Sequence, residues 1–366
     1  MCENMKRIAF YCSSLSRGGA ERVFVNLAEY FNQKGCEVFI VTQYQHKDEY
    51  TISEGITRIL SDLTEQETGK SRIRNLLARL SKLHRIFRQI QPDIILSCNG
   101  KNNFMAMAAN TFLKGKVVVS VVADPKMEYY TKVMQFLAKN YFCFADGIVL
   151  QTKQAMNFFP KRIQKKSIIL QNSVNPKFMR SRYEGVRRKE IVAVGRLDEN
   201  KNHAMLIKAF AGLAEEFSDY TVIVYGEGES RAGLEKLIAD LHLGERVFLY
   251  GKCETIEKQI YESSLFVMTS DTEGMPNALL EAMSLGLPVI STDCPCGGPA
   301  ELIHHGENGY LVPVRDEKAL KEQIWYCLSH PEELESVGRR AAEIQCAMKP
   351  EVVNRKWEEY FEQVMK

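Results

Sequence analysis

Two carboxylates eight positions apart, Glu273 and Glu281, lie in the run Ser270-Asp271-Thr272-Glu273-Gly274-Met275-Pro276-Asn277-Ala278-Leu279-Leu280-Glu281. The apolar run Leu265–Met268 precedes it. Pro276 stands where a helix would start, because proline lacks only an N–H that a helix N-terminus leaves unpaired anyway. This order puts Glu273 in a loop and Glu281 about one turn into a helix. Carboxylates so placed accept hydrogen bonds from sugar or ribose hydroxyls, while the backbone N–H groups between them suit anionic oxygens. The spacing alone is common by chance; the strand, loop and helix around it give it weight.

A second run, Ala193-Val194-Gly195-Arg196-Leu197-Asp198-Glu199-Asn200-Lys201-Asn202, carries two cations five residues apart, Arg196 and Lys201. A forked guanidinium and a point-charge ammonium on one strand-exit loop can neutralise a diphosphate. The plain alternative is a pair of surface cations. A third run, Arg17-Gly18-Gly19-Ala20-Glu21-Arg22, follows an apolar strand and leads into a helix. Its glycines let backbone N–H groups approach a phosphate, and the helix adds partial positive charge. Tight strand-to-helix turns need glycine for geometry alone, so this motif is even-handed between the two readings. Tyr225-Gly226-Glu227-Gly228-Glu229-Ser230-Arg231 imitates a dinucleotide fingerprint, but Arg231 takes the place of the third glycine, which disfavours a nicotinamide cofactor.

These loops need strands to hold them. Short β-branched runs at Arg7–Cys12, Glu37–Thr42, Asp93–Ser97, Val117–Val122, Gly147–Leu150 and Ile168–Leu170 alternate with helical patterns from Ala20, over Ser71–Ile90 and near Asn102–Phe112. Such alternation predicts parallel sheets with helices on both faces. It breaks at Gln171–Lys189, a polar stretch with Pro176 that reads as a linker, and resumes at Glu190–Val194, Tyr220–Tyr225, Val247–Tyr250, Leu265–Met268 and Pro288–Ser291. The expected fold is therefore α/β with two Rossmann-like doubly wound domains, residues 1–175 and 190–349. A closing helix within 350–366, with Trp357, Tyr360, Phe361 and Val364 on one stripe, is expected to return to the first domain. Ligands in such sheets bind at the carboxyl ends of strands, where all three candidate loops lie.

Taken together these segments resemble glycosyltransferase family 4, retaining enzymes of the GT-B architecture, in which two facing Rossmann-like domains leave a cleft between them. The resemblance runs from Gly18-Gly19-Ala20-Glu21-Arg22 to Gly306-Glu307-Asn308-Gly309-Tyr310-Leu311-Val312. Within it, Glu273–Asn277 and Pro295-Cys296-Gly297-Gly298-Pro299-Ala300-Glu301 look most like bacterial capsule, exopolysaccharide and N-glycan assembly enzymes. The resemblance implies that Arg196 and Lys201 bind the donor diphosphate, Glu281 the ribose and Glu273 the transferred sugar. It extends the donor site to Gly18, Gly19, Gly195, Gly226, Lys252, Cys253, Gly274, Met275, Pro276, Asn277 and Ala278, and puts Arg17, Glu21 and Asp124 on the acceptor side. Many relatives offer a histidine or arginine after a central strand of the first domain; here the matching segment is Ser120-Val121-Val122-Ala123-Asp124-Pro125-Lys126. The implied donor is a UDP-sugar, with no obligatory cofactor or metal, and substitution on the same face through an oxocarbenium-like state. A sugar-nucleotide epimerase and a catalytically silent nucleotide-sugar-binding subunit are the competing readings.

Charge bears on the acceptor. Net charge is only +2, yet 25 Lys and Arg stand against 14 Asp and Glu up to Asn175, and 23 against 32 beyond it. A basic half attracts phosphates or anionic surfaces. The segment Lys70–Arg88 is rich in Lys and Arg and has no acid, while Ile73, Leu76, Leu80, Leu83 and Phe87 recur at helical spacing. That stripe is expected to pack on the sheet, and the basic face to rest on anionic lipid, which favours a polyprenyl-diphosphate-linked glycan as acceptor. Nucleic acid is not expected, since the basic residues are not interleaved with aromatic platforms. The ten cysteines lack paired C-x-x-C spacing, and Cys294 and Cys296 have no further zinc ligands at the right distance, so reduced thiols are expected. No signal peptide or spanning apolar run stands out, and a cytoplasmic chain, peripheral on the inner face of the plasma membrane, is the expectation.

Overall fold

The computed structural model describes residues 6–16 and 18–366. The chain divides into two compact units, one made of residues through Asn172 together with Glu351–Lys366, the other of Ser173–Pro350. In the first, β1 (Arg7–Cys12), β2 (Glu37–Thr42), β3 (Ile56–Leu60), β4 (Ile94–Cys98), β5 (Lys116–Val121), β6 (Gly147–Leu150) and β7 (Ser167–Ile169) form a parallel sheet in the order β3-β2-β1-β4-β5-β6-β7. In the second, β8 (Arg188–Val194), β9 (Thr221–Tyr225), β10 (Val247–Gly251), β11 (Ser263–Met268), β12 (Val289–Thr292) and β13 (Tyr310–Val312) run β10-β9-β8-β11-β12-β13, again parallel. The α/β class with two doubly wound sheets is thus what the structure has.

The central strands are buried on both faces, which is why they read as continuous apolar runs such as Ile8–Cys12 and Ile94–Leu96. The edge strands β3 and β13 go beyond the sequence reading: β3 is half exposed and β13 has only three residues, so neither has a long apolar run.

The first unit carries α1 (Gly19–Gln33), α2 (Arg72–Ile90), α3 (Lys101–Ala109), α4 (Pro125–Glu128) and α5 (Lys132–Tyr141). Helix α2 corrects an expectation. Leu83, Ile86, Phe87 and Ile90 are buried, but Ile73 and Leu76 are exposed, so only the C-terminal half of the stripe packs on the sheet. Its cations are also less free than the acid-free helix suggests, because the chain before it supplies acids: Arg79 bonds Asp62 at 3.3 Å and Lys82 bonds Glu67 at 3.0 Å.

The helix Pro350–Met365 completes the first unit. Phe361 stacks on Phe31 with ring centres 5.4 Å apart, and the Tyr360 hydroxyl accepts from Ile148 N at 2.7 Å. Gly147 makes room for that hydroxyl, which would lie 2.7 Å from a Cβ there. Among the described residues no helix is long and apolar enough to cross a membrane. All the described cysteines are free thiols; Cys143 and Cys253 are half-buried and Cys346 is exposed.

Each sheet reverses its strand order once, between β1 and β4 in the first unit and between β8 and β11 in the second. Connections leave in opposite directions at such a point and open a crevice at the carboxyl ends of the two strands.

Candidate active site

At the reversal point of the second unit, the loop after β8 and the loop after β11 are tied together by their own polar groups. Thr269 Oγ1 donates to the carbonyls of Lys201 and Asn202, each at 2.9 Å. Asp271 N donates to Asn200 O at 2.7 Å, and Asn200 Nδ2 donates to Thr272 O at 3.1 Å. Arg315 donates through Nε and Nη2 to Asp271 Oδ2 at 2.9 and 2.6 Å. Sequence reasoning passed over Asn200, Thr269, Asp271 and Arg315. Arg315 lies far along the chain, past the last recognised strand, and gave no signal; Asp271 stood in plain view beside Glu273 without a partner to give it meaning.

The tying brings two candidates into direct contact. Lys201 Nζ lies 2.5 Å from Glu273 Oε1, with both side chains mostly buried. Gly195 lies under the Lys201 stem, where a Cβ would come within 3.3 Å of Lys201 Cδ. Arg196 extends into solvent and reaches Asp198 at 3.1 Å. His203, behind the same loop, is buried with Nε2 3.2 Å from the Arg196 carbonyl, which fixes the tautomer with the proton on Nε2. Burial pushes its pKa down to about 4, so it stays neutral and braces the loop without adding charge.

The backbone around this crevice is very close. A Cβ at Gly226 would fall 1.8 Å from Gly195 O, and Gly226 itself has φ +153. A Cβ at Gly298 would fall 1.5 Å from Gly274 O, where the turn after β12 crosses the loop after β11. Here Glu273 N donates to Pro295 O at 3.1 Å. Only glycine permits these approaches.

The helix Asn277–Ser284 begins with Pro276 as its N-cap and no side-chain cap, so the first-turn N–H groups of Asn277 and Ala278 point out of the helix end. Met275 and Gly274 are buried just before it, and Glu281 is buried in its second turn. Lys252 is exposed and Cys253 half-buried after β10. The loops that meet here therefore carry two cations, a helix start without a side-chain cap and two carboxylates, with Lys201 and Glu273 in direct contact. That set can hold an anion next to a polyol. A cleft of about 620 Å³ opens beside it, but Asp198, Glu199, Glu229, Asp271 and Glu317 face it and none of Arg196, Lys201, Glu273 or Glu281 does. A lining with that much negative charge is a poor host for a diphosphate.

In the first unit, Arg17 lies outside the described residues. Gly18 is the N-cap of α1 and Gly19 its first residue, with no side chain capping the start. Glu21 sits in that first turn, and burial raises its pKa. Asp124 is occupied as the N-cap of α4, accepting from Lys126 N at 2.9 Å. The carboxylate that sequence reasoning missed is Glu128, four residues on. It accepts from Gly100 N at 2.7 Å, Val122 N at 3.2 Å and Ala123 N at 3.3 Å, thereby joining the exits of β4 and β5. Burial raises its pKa to about 7 against the lowering effect of these bonds. A short polar network, Ser13, Gln43 and Asn102, lies at the carboxyl ends of β1 and β2 and the start of α3, with Gln43 Nε2 2.9 Å from Asn102 Oδ1 and Asn102 Nδ2 3.0 Å from Ser13 Oγ.

Two family models match the chain: "Glycosyltransferase Family 4" over residues 17–178 and "Glycosyl transferases group 1" over residues 175–344. A similar relative is the N-acetylgalactosamine-N,N'-diacetylbacillosaminyl-diphospho-undecaprenol 4-alpha-N-acetylgalactosaminyltransferase of Campylobacter jejuni, 28% identical, with 86% of this chain and 88% of the relative covered. Another is the amylovoran biosynthesis glycosyltransferase AmsD of Erwinia amylovora, 22% identical over 93% of this chain and 95% of the relative. Among solved structures, HepE of Anabaena in complex with UDP superposes with a TM-score of 0.81 at 18% identity, covering 97% of this chain and 99% of that one.

Proposed function

This chain belongs to glycosyltransferase family 4, whose enzymes retain the configuration of the sugar they move, and from that membership we propose that it transfers a sugar from UDP to a polyprenyl-diphosphate-linked glycan. The observation that carries the reading is the Lys201–Glu273 contact, which ties the loop after β8, where Arg196 also lies, to the loop that leads into the helix after Pro276. The UDP complex of HepE and the undecaprenol-linked substrate of the Campylobacter relative support the choice of donor and acceptor.

In this mechanism the diphosphate lies across the N-terminus of Asn277–Ser284, with Arg196 and Lys201 beside it. Negative charge grows on the leaving diphosphate as the sugar bond breaks, so both cations stabilise the transition state more than the ground state. Glu281 takes the ribose hydroxyls and Glu273 the hydroxyls of the transferred sugar, orienting the anomeric carbon. No opposed carboxylate pair is needed, since the departing phosphate oxygen takes the acceptor's proton. The exposed cations of α2 and its approach, among them Lys70, Arg72, Arg74 and Arg85, are assigned to the anionic surface carrying the acceptor.

Titration calorimetry against UDP, ADP and GDP tests the donor, and donor consumption with and without a lipid-linked acceptor tests transfer. UDP binding with donor use only in the presence of acceptor supports the proposal. Donor isomerisation without acceptor would establish an epimerase, and UDP binding without any turnover a silent binding subunit.

A further inference from the structure

The chain between α4 and β6 is apolar on the outside. Tyr130, Val133, Phe136 and Phe144 are 65%, 68%, 67% and 76% exposed, and Met127 and Leu137 are exposed as well. Positions 133, 136 and 137 share one face of α5, because residues three and four apart lie one above the other on a helix. Tyr130 sits three residues before that face, and Phe144 follows at the same spacing after Tyr141, with their rings 6.1 Å apart. The opposite side of α5 packs inward through Ala138. Single exposed apolar side chains need no explanation, but six between Met127 and Phe144 do.

Cations flank the row, and the two acids at its ends are engaged, Asp124 as the cap of α4 and Asp146 with Lys116 at 3.2 Å. Lys126, Lys132 and Lys139 come from the same stretch, and Lys101 reaches the Tyr130 ring at 6.0 Å. At the far end, Arg162 Nη2 donates to Asn140 Oδ1 at 2.5 Å, beside a recess of about 600 Å³ lined by Lys139, Phe158 and Pro160. Between Lys126 and Phe144 the one acid is Glu128, and its carboxylate is turned inward onto the N–H groups of Gly100, Val122 and Ala123.

We propose that this face of α5, with Met127, Tyr130 and Phe144, inserts into the interfacial layer of an anionic lipid bilayer. Charge complementarity selects that occupant: the apolar row enters the acyl boundary while the flanking lysines and Arg162 meet phosphate headgroups. Tyrosine at the margin suits the headgroup level, where one end of its ring is wet. Long lysine stems let the ammonium groups reach outward while the helix lies flat. The proposal rests on the reading of a lipid-linked acceptor and deepens it, since it names a contact surface distinct from the basic helix α2.

The test uses the full chain, carrying Phe136→Trp as a reporter, with vesicles of phosphatidylglycerol and phosphatidylcholine, some brominated along the acyl chain. Quenching of the reporter by brominated lipid, together with roughly tenfold weaker partitioning of the Phe136→Ser, Leu137→Ser double variant, supports the proposal. Binding to pure phosphatidylcholine should be weaker, and salt should lower the affinity for anionic vesicles. Absent vesicle binding, binding without quenching, or binding unchanged in the double variant would each overturn it. So would sedimentation showing that the double variant turns a self-associated protein into a monomer, which would make the face a contact between copies. UDP calorimetry separates the two ideas: UDP binding by a Phe136→Trp protein that fails to bind anionic vesicles removes the membrane face alone, whereas vesicle binding without UDP binding removes the donor assignment alone.

Discussion

Lys201 and Glu273 form an ion pair at 2.5 Å, although they come from loops after different strands and are 72 positions apart. The cation assigned to the diphosphate is thus already partnered by the carboxylate assigned to the sugar. On the proposed donor site, an entering diphosphate would share or take over this ammonium, which would couple donor arrival to the release of Glu273 toward the sugar hydroxyls.

Lys201→Ala and Arg196→Ala should each lower turnover at least about tenfold through loss of a charge-assisted contact. They should differ in stability. Lys201→Ala leaves Glu273 mostly buried and without this cation and should lower the melting temperature, whereas Arg196 extends into solvent and its loss should not. Steady-state kinetics unchanged in both variants would remove the diphosphate assignment.

Glu281→Gln should weaken free UDP and the intact donor together, because both contain the ribose. Glu273→Gln frees Lys201 and should leave UDP affinity at or somewhat above wild type while transfer falls. Calorimetry beside single-turnover rates reads the difference. A folded Glu273→Gln protein that loses UDP as badly as Glu281→Gln contradicts the division of roles.

The two units should respond oppositely to pH. Glu128 has a pKa of about 7, above its ordinary value, so its contribution is full below about 4.5 and is lost as pH rises through about 7. His203 is depressed to about 4, so its contribution is present above about 6.5 and lost as pH falls toward about 4. Hydrogen exchange on core amides of each unit between about pH 5 and 8 should show these opposed slopes. Glu128→Gln should flatten the first, and His203→Gln, which keeps a donor toward the Arg196 carbonyl, the second. Slopes unchanged in the variants would place the titration elsewhere.

Gly226→Ala should cost roughly 1–3 kcal/mol or more, because its methyl meets a backbone carbonyl that has nowhere to go. Chemical denaturation measures it. A neutral effect would show that the strand-exit loops move apart easily.

Much of this was legible from residue order. The loop exits at Gly195–Lys201 and Glu273–Glu281 announce themselves because buried parallel strands are uninterrupted apolar runs, so the polar loop after each run is conspicuous. Glu128 was not legible: a glutamate four residues after an aspartate in a short helix has no pattern, and its role exists only because β4 and β5 pair in space. Nor was the fate of Ile73 and Leu76, since helical spacing identifies a face but not how far along it the sheet extends. Lys82 showed the same limit for charge, where the partner Glu67 lies outside the helix whose composition was read.

The helix Pro350–Met365 gives the chain a direction in time. Since the first unit is closed by residues that follow the whole of the second, a ribosome releases a complete second unit before a complete first one. Until Tyr360 and Phe361 emerge, the backbone of Ile148 and the ring of Phe31 wait for partners. Arrest-length profiling should find that the interior stretch gains protease resistance first, and that a stop codon just before Glu351 leaves the earlier-synthesised unit the more easily cleaved of the two.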